Sequence, residues 1–303
     1  MSCSFRFHSS ALPAAAARLR LSRGLWPPSS RRLTFSPTLS ISPPSRPAAI
    51  AAASPLGASQ EASAMAVSDS ESVGQYDLLI VGPGVLGRIV AERWQQEHPD
   101  CKIFGHTATT DHHSELTQLG IIPSLKGPAV QKVPYVIFCA PPYRTDDYPG
   151  DLRVAASNWN GQGSFLFTSS TAVYDCSDNG LCSEDSPCVP IGRSPRTDVL
   201  LKAENAVLEA GGSVLRLDAA TLAIAIMERR LRARVFVGCD NQPLSRQEII
   251  DLVNRSGKFD TKFQGFTGTD GPLGKRMDNS KTRAEIGWQP KYPSFTEFLG
   301  LSN

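Results

Sequence analysis

From residue 77 onward, short runs of consecutive apolar residues alternate with stretches in which apolar residues recur every three or four positions. The runs predict strands buried on both sides, and the spaced stretches predict helices that cover them. Leu78-Leu-Ile-Val81 is the first run. Leu86, Val90 and Trp94 follow at four-residue spacing, which gives one helix a single apolar face. Further strands are predicted at Cys101 to His106, Tyr135 to Ala140, Ser164 to Thr168, Val214 to Leu217 and Arg234 to Gly238, with helices over Asp198 to Glu209 and Ala219 to Leu231. Strands alternating with helices predict an α/β fold built on a doubly wound parallel sheet. Toward the C-terminus, Ser245-Arg-Gln-Glu248 and Ser294-Phe-Thr-Glu297 have the spacing of a capping box. The apolar sets Ile249, Leu252, Val253 and Phe295, Phe298, Leu299 follow them, so residues 241–303 are expected to form a small lobe after a main domain over 65–240.

Between the first strand and its helix stand Gly82, Gly84 and Gly87. In such a turn the first glycine permits the tight bend, the second lets backbone approach a pyrophosphate at the helix N-terminus, and the third lets helix pack on strand. Strand before and amphipathic helix after make this a Rossmann-type dinucleotide site, with Gly82, Gly84, Val85, Leu86 and Gly87 as cofactor contacts. An ordinary ligand-free turn is the alternative. Ligands of such sheets lie beyond the carboxyl ends of the strands, so Ala140-Pro141-Pro142 and Ser169 to Tyr174 are expected to converge on the same crevice. The second strand ends Phe-Gly-His-Thr, without the acid that would hold the ribose hydroxyl of NAD. NADP is therefore favoured over NAD, with His106 or Thr107 near the extra phosphate. Gly268 to Lys275 is glycine-rich but lacks the GxxxxGK[ST] pattern and is read as a loop over the crevice.

The first 60 residues of the 303 hold seven Arg, no Asp or Glu, and many Ser, Ala and Pro. That composition predicts a transit peptide over about residues 1–64, with the chloroplast stroma ahead of the mitochondrion; a retained disordered arm is the alternative. The remaining residues carry 24 basic and 29 acidic side chains, a net of −5. No basic cluster interleaved with aromatics supports nucleic-acid binding, and neither an anionic membrane surface nor a spanning segment is indicated.

Seven Cys are scattered along the chain, and Cys176, Cys182 and Cys188 stand six apart in a polar stretch. Without CxxC or neighbouring His no metal site is expected. Free thiols are the simple reading, and a regulatory disulfide in that stretch is the sharper one.

Three segments resemble one family. Thr168-Ser-Ser-Thr-Ala-Val-Tyr174, Val235-Phe-Val-Gly-Cys-Asp-Asn-Gln-Pro-Leu-Ser-Arg-Gln-Glu248 and Lys275-Arg-Met-Asp-Asn-Ser-Lys-Thr-Arg-Ala-Glu-Ile-Gly-Trp-Gln-Pro290 look like the active-site strand and C-terminal substrate lobe of atypical extended short-chain dehydrogenase/reductases, the epimerase/dehydratase-like members found in bacteria and plant chloroplasts. The resemblance covers residues 76–303. It implies a nicotinamide cofactor and an oxidoreductase or epimerase acting on a small sugar-like or carbonyl compound. It also implies a homodimer as the oligomer, since relatives pair through helices flanking the active-site lysine. Members that transfer hydride use a hydroxyl residue and a YxxxK pair, whose ammonium lowers the phenol pKa. Ser170 fits the hydroxyl position and Lys202 the lysine position, where Lys202 would also bind the nicotinamide ribose. The chain departs from the pattern at Asp198, four residues before Lys202, and contains no YxxxK. Tyr174 is the candidate substitute phenol, although core packing is its favoured role, since in relatives that tyrosine packs or lines the site; Asp198 and Lys202 could equally form a surface ion pair. At Leu217-Asp218, a few dozen residues present in relatives are missing, as in an alternative transcript or an incomplete gene model. The substrate cap is expected to be lost with them. A nucleotide-binding regulatory or scaffold protein without turnover is therefore the second functional reading.

Overall fold

A computed structural model describes residues 72–128, 131–216, 220–266 and 274–301. In chain order its elements are β1 (Leu78–Val81), α1 (Val85–Glu97), β2 (Ile103–Thr107), α2 (His113–Gln118), β3 (Ile121–Leu125) and β4 (Val133–Phe138). There follow α3 (Tyr148–Ser157), β5 (Trp159–Ser169), β6 (Leu181–Cys182), α4 (Pro195–Glu209), β7 (Ser213–Arg216) and α5 (Ala220–Glu228). The chain closes with β8 (Val235–Val237), α6 (Arg246–Ser256), β9 (Arg276–Met277), α7 (Ser280–Ile286) and α8 (Phe295–Phe298).

Seven strands form one sheet in the order β3-β2-β1-β4-β5-β7-β8, and every neighbouring pair is parallel. The strand order reverses between β1 and β4, the place where such a sheet opens a crevice at its carboxyl edge. Leu78 and Ile80 pack with Val90 and Trp94 of α1 and Ile226 and Met227 of α5, while Leu79 and Val81 pack with Leu152 of α3 and Val207 of α4. Helices on both faces make this a Rossmann-type doubly wound fold. They also explain why β1 and β4 are apolar at every position: neither face meets water.

Six elements escaped the sequence pattern: α2, β3, α3, β6, β9 and α7. Tyr-Pro-Gly opens α3, although proline and glycine usually mark a turn. Proline is tolerated in a first helical turn, and the Asp147 carboxylate caps this one by accepting from Gly150 N at 2.9 Å. β3 contains Pro123, which an edge strand accommodates because one side of its backbone needs no ladder partner. Elsewhere the expected elements are present with ends shifted by a few residues.

Ser245 and Glu248 form the complete capping box at the start of α6. Leu252 and Val253 of α6 pack with Leu299, Phe295 and Phe298 in a small separate cluster. Ile286 of α7 and Trp288 instead join the main core beside α5. The Leu217-Asp218 junction lies outside the described residues; on either side of it, β7 and β8 pair in parallel with α5 between them in the chain. Residues 1–64 and most of the glycine-rich stretch after Gly268 also lie outside them. No described helix is long and apolar enough to cross a membrane.

Candidate functional site

The glycine turn is built by contacts that only glycine permits. Gly82 has φ +81°, and a Cβ there would stand 2.7 Å from the Cα and N of Ala140. Its N–H donates to His106 O at 2.9 Å, so the ends of β1, β2 and β4 meet at this one residue. A Cβ on Gly87 would meet Ile80 Cγ2 at 2.9 Å, which fixes how closely α1 lies on β1. Gly84 differs from both. The nearest atom to its absent Cβ is Gly82 O at 4.0 Å, and the position is exposed.

No side chain caps α1 at Gly84. The first-turn N–H groups of a helix have no partner within the helix, and their partial positive charge faces outward. Val85 is half exposed beside them, while Leu86 leans on the core. An open backbone surface of this kind fits a pyrophosphate.

The other expected residues take varied places. Ala140 abuts Gly82, and its carbonyl accepts from Tyr148 Oη at 2.6 Å. Pro141 precedes a short 3-10 turn over Pro142–Arg144. His106 is buried, and burial holds its pKa below the usual histidine value. The Thr107 hydroxyl donates to Ser124 O at 3.2 Å and meets His113 Nε2 at 2.7 Å. Ser170 follows the end of β5, where its hydroxyl oxygen accepts from Ala172 N at 3.1 Å and caps the turn Thr171–Val173.

Tyr174 is 1 % exposed and its ring lies under the Arg216 guanidinium, 4.4 Å from ring centre. Burial pushes its phenol up to about 12, even with Arg216 favouring the anion. That is packing geometry, and a phenol so placed is poorly suited to exchanging protons at neutral pH. Lys202 is exposed on α4. Asp198 makes no bridge to it; both carboxylate oxygens accept from Gly192 N at 3.0 Å. The structure therefore brings Gly82, Gly84, Gly87, His106 and Ala140 together, and it buries Tyr174 while leaving Lys202 exposed.

Three groups have no counterpart in the sequence reading. Arg88, in the first turn of α1, donates to Pro83 O at 3.3 Å and pairs with both oxygens of Glu115 on α2 at 2.6 and 3.0 Å. A cation thus stands against the glycine turn although β2 supplies none. Glu204 and Arg216, both buried, form a paired bridge at 2.7 and 3.1 Å, and Glu204 also accepts from Ser169 Oγ at 2.5 Å. Lys275 Nζ donates to Thr171 O at 2.9 Å and to Tyr174 O, tying the C-terminal segment to the turn after Ser170. Lys275, Met277, Cys239, Leu244 and Phe295 line a cavity of about 290 Å³ nearby. Only pairing across the fold reveals these groups, since each joins residues far apart in the chain. Glu97, His98 and Glu228 bring their ligand atoms within 4.8 Å of one another, but at the C-terminal end of α1, away from the glycine turn.

The sequence matches no known protein family and no curated protein. Solved structures share the fold. A conserved protein of unknown function from Silicibacter pomeroyi is 19 % identical, with TM-score 0.61, covering 74 % of this chain and 96 % of that one. UDP-glucose 4-epimerase from Bifidobacterium longum, in complex with NAD+ and UDP, is 12 % identical, with TM-score 0.58 and coverage of 75 % and 96 %. dTDP-glucose 4,6-dehydratase from Bacillus anthracis, in complex with NAD, is 14 % identical, with TM-score 0.57 and coverage of 74 % and 94 %. At these identities the likeness is one of fold: a Rossmann-type α/β sheet of the kind on which NAD-dependent epimerases and dehydratases are built.

Proposed function

We propose that this chain binds a nicotinamide dinucleotide in the crevice at Gly82 to Gly87 and descends from oxidoreductases or epimerases acting on small sugar-like or carbonyl compounds. The observation that carries this is the contrast among the three glycines: two fill contacts no side chain could occupy, and Gly84 leaves open backbone at an uncapped helix start. The Gly84 N–H already donates to Gly82 O at 2.7 Å, so the pyrophosphate would rest on the N–H groups from Val85 to Gly87, with Ala140 to Pro142 bordering the site. Bound there, the nicotinamide ring supplies hydride transfer. Ser170 is the hydroxyl available near the carboxyl ends of β4 and β5 to orient a substrate oxygen. NADP is favoured over NAD, because β2 ends without an acid and Arg88 stands beside the turn.

A second reading, nucleotide binding without turnover, is favoured by one specific observation: Tyr174, the phenol offered for proton transfer, is buried beneath Arg216 while Lys202 is exposed. Calorimetric titration of the chain with NADPH and NADH, followed by cofactor consumption across a carbonyl panel, tests both. Binding with consumption that falls in Ser170→Ala supports the enzyme, whereas binding with no consumption supports the second reading. Absence of binding to a cooperatively folded chain refutes both. We further infer, from the acid-free Arg-rich leader, import into the chloroplast stroma, which a fluorescent fusion of residues 1–64 would report.

A further inference from the structure

Below the turn that follows Ser170 lies a cluster rich in sulfur. Tyr174, Cys182 and Val237 are its buried centre, and Cys176, Cys188, Cys239 and Met277 pack around them. Within it Cys176 Sγ stands 2.8 Å from Cys182 Sγ, and both are free thiols. The approach is imposed by the backbone. Asp178 and Asn179 adopt φ +54° and +61°, and Gly180 N donates to Ser177 O at 2.9 Å, a reverse turn that folds Cys182 back toward Cys176. Asp and Asn are the non-glycine residues that best tolerate this conformation.

We propose that Cys176 and Cys182 are a reversible thiol–disulfide exchange site, oxidised by a disulfide such as that of oxidised glutathione. The two thiols are unequal in a way that orders the steps. Cys182 is fully buried and burial pushes it up to about 12, while Cys176 is partly exposed and is the sulfur an oxidant reaches. The Cys176 thiolate attacks one sulfur of the oxidant's disulfide, forming a mixed disulfide and releasing one thiol. Cys182 then attacks Cys176 Sγ; the mixed disulfide breaks, and the second thiol leaves with the Cys182 proton. Two protein thiols lose two electrons in total, and one external disulfide becomes two thiols.

The bond would close a ring over the turn that holds the C-terminal segment. Asn179 N donates to Gly274 O at 2.9 Å, Arg276 N donates to Gly180 O at 3.0 Å, and β6, which carries Cys182, pairs with β9. Lys275 of that same segment ties to Thr171 and Tyr174. Oxidation state is thereby coupled to how firmly residues 274–277 are held beside Ser170. This inference does not depend on the cofactor assignment.

The test is disulfide mapping by mass spectrometry after the full chain is equilibrated with oxidised glutathione, and again after dithiothreitol. The expected product is one Cys176–Cys182 link that dithiothreitol removes and that persists in Cys188→Ser and Cys239→Ser. In Cys182→Ser the expected product is Cys176 carrying glutathione. Should that buried substitution prevent folding, the wild-type map and the partly exposed Cys176→Ser variant decide, the latter forming no link. Preferential linkage through Cys188 or Cys239, or wild-type protein that stops at glutathionylated Cys176, overturns the proposal. Amide hydrogen exchange at residues 274–278 should slow on oxidation; unchanged exchange would overturn the coupling to the C-terminal segment.

Discussion

Gly84→Ala separates a binding surface from a structural turn. Gly84 has φ −78°, an ordinary value for any residue, and the added methyl would stand 4.0 Å from its nearest neighbour, Gly82 O. With neither strain nor clash, folding stability should change by less than about 0.5 kcal/mol, or within about 2 °C in Tm for a domain of this size. A pyrophosphate approaching the N–H groups of the turn meets that methyl. Losing one charge-assisted hydrogen bond costs about 1.5–3 kcal/mol, which at about 1.4 kcal/mol per decade weakens binding roughly 10- to 150-fold. Gly82→Ala is the matched control. Its φ of +81° costs an L-residue about 1–2 kcal/mol, and the 2.7 Å approach to Ala140 backbone adds overpacking of about 1–3 kcal/mol. Together these predict a Tm roughly 4–20 °C lower. Calorimetric titration with NADPH and NADH beside thermal unfolding reads both effects. Unchanged affinity in Gly84→Ala, or a Tm loss in it as large as that of Gly82→Ala, would refute the assignment of this turn.

Glu204→Ala leaves the Arg216 guanidinium buried without its partner and should cost about 3–5 kcal/mol in urea unfolding. The double replacement Glu204→Met with Arg216→Met should recover most of that loss; a double variant no better than the single would show that the bridge is not the cause. Lys275→Met removes the donor from Thr171 O and Tyr174 O and should cost about 1–3 kcal/mol, with no loss expected if those carbonyls face water instead. Burial lowers the pKa of His106, so below the ordinary histidine value of about 6.5 the unfolded chain binds a proton that the folded one resists. Stability should therefore be level above that pH and fall as pH drops through it. His98, also lowered by burial, contributes in the same direction. His106→Gln should make the decline shallower, and an equal or steeper slope would exclude His106 as a source.

What the sequence determined by itself is what periodicity and steric freedom encode. Continuous apolar runs such as Leu78 to Val81 specify strands covered on both faces, and Leu86, Val90 and Trp94 specify a helix with one buried side, so the doubly wound sheet was legible. The glycine turn was legible because its spacing reports backbone geometry that other residues cannot adopt. The edge strand with Pro123 and the helix opening at Tyr148 were not, because their breakers are tolerated only through an edge position and an Asp147 cap. Only the tertiary structure decided which polar residues meet. It buried Tyr174 under Arg216, turned Lys202 to solvent, gave Asp198 to Gly192, and brought Glu204, Arg216 and Ser169 into one network from three elements. It also folded Cys176 onto Cys182. Pairings of this kind depend on where distant segments cross, a property of sheet order and helix packing that no local pattern of residues carries.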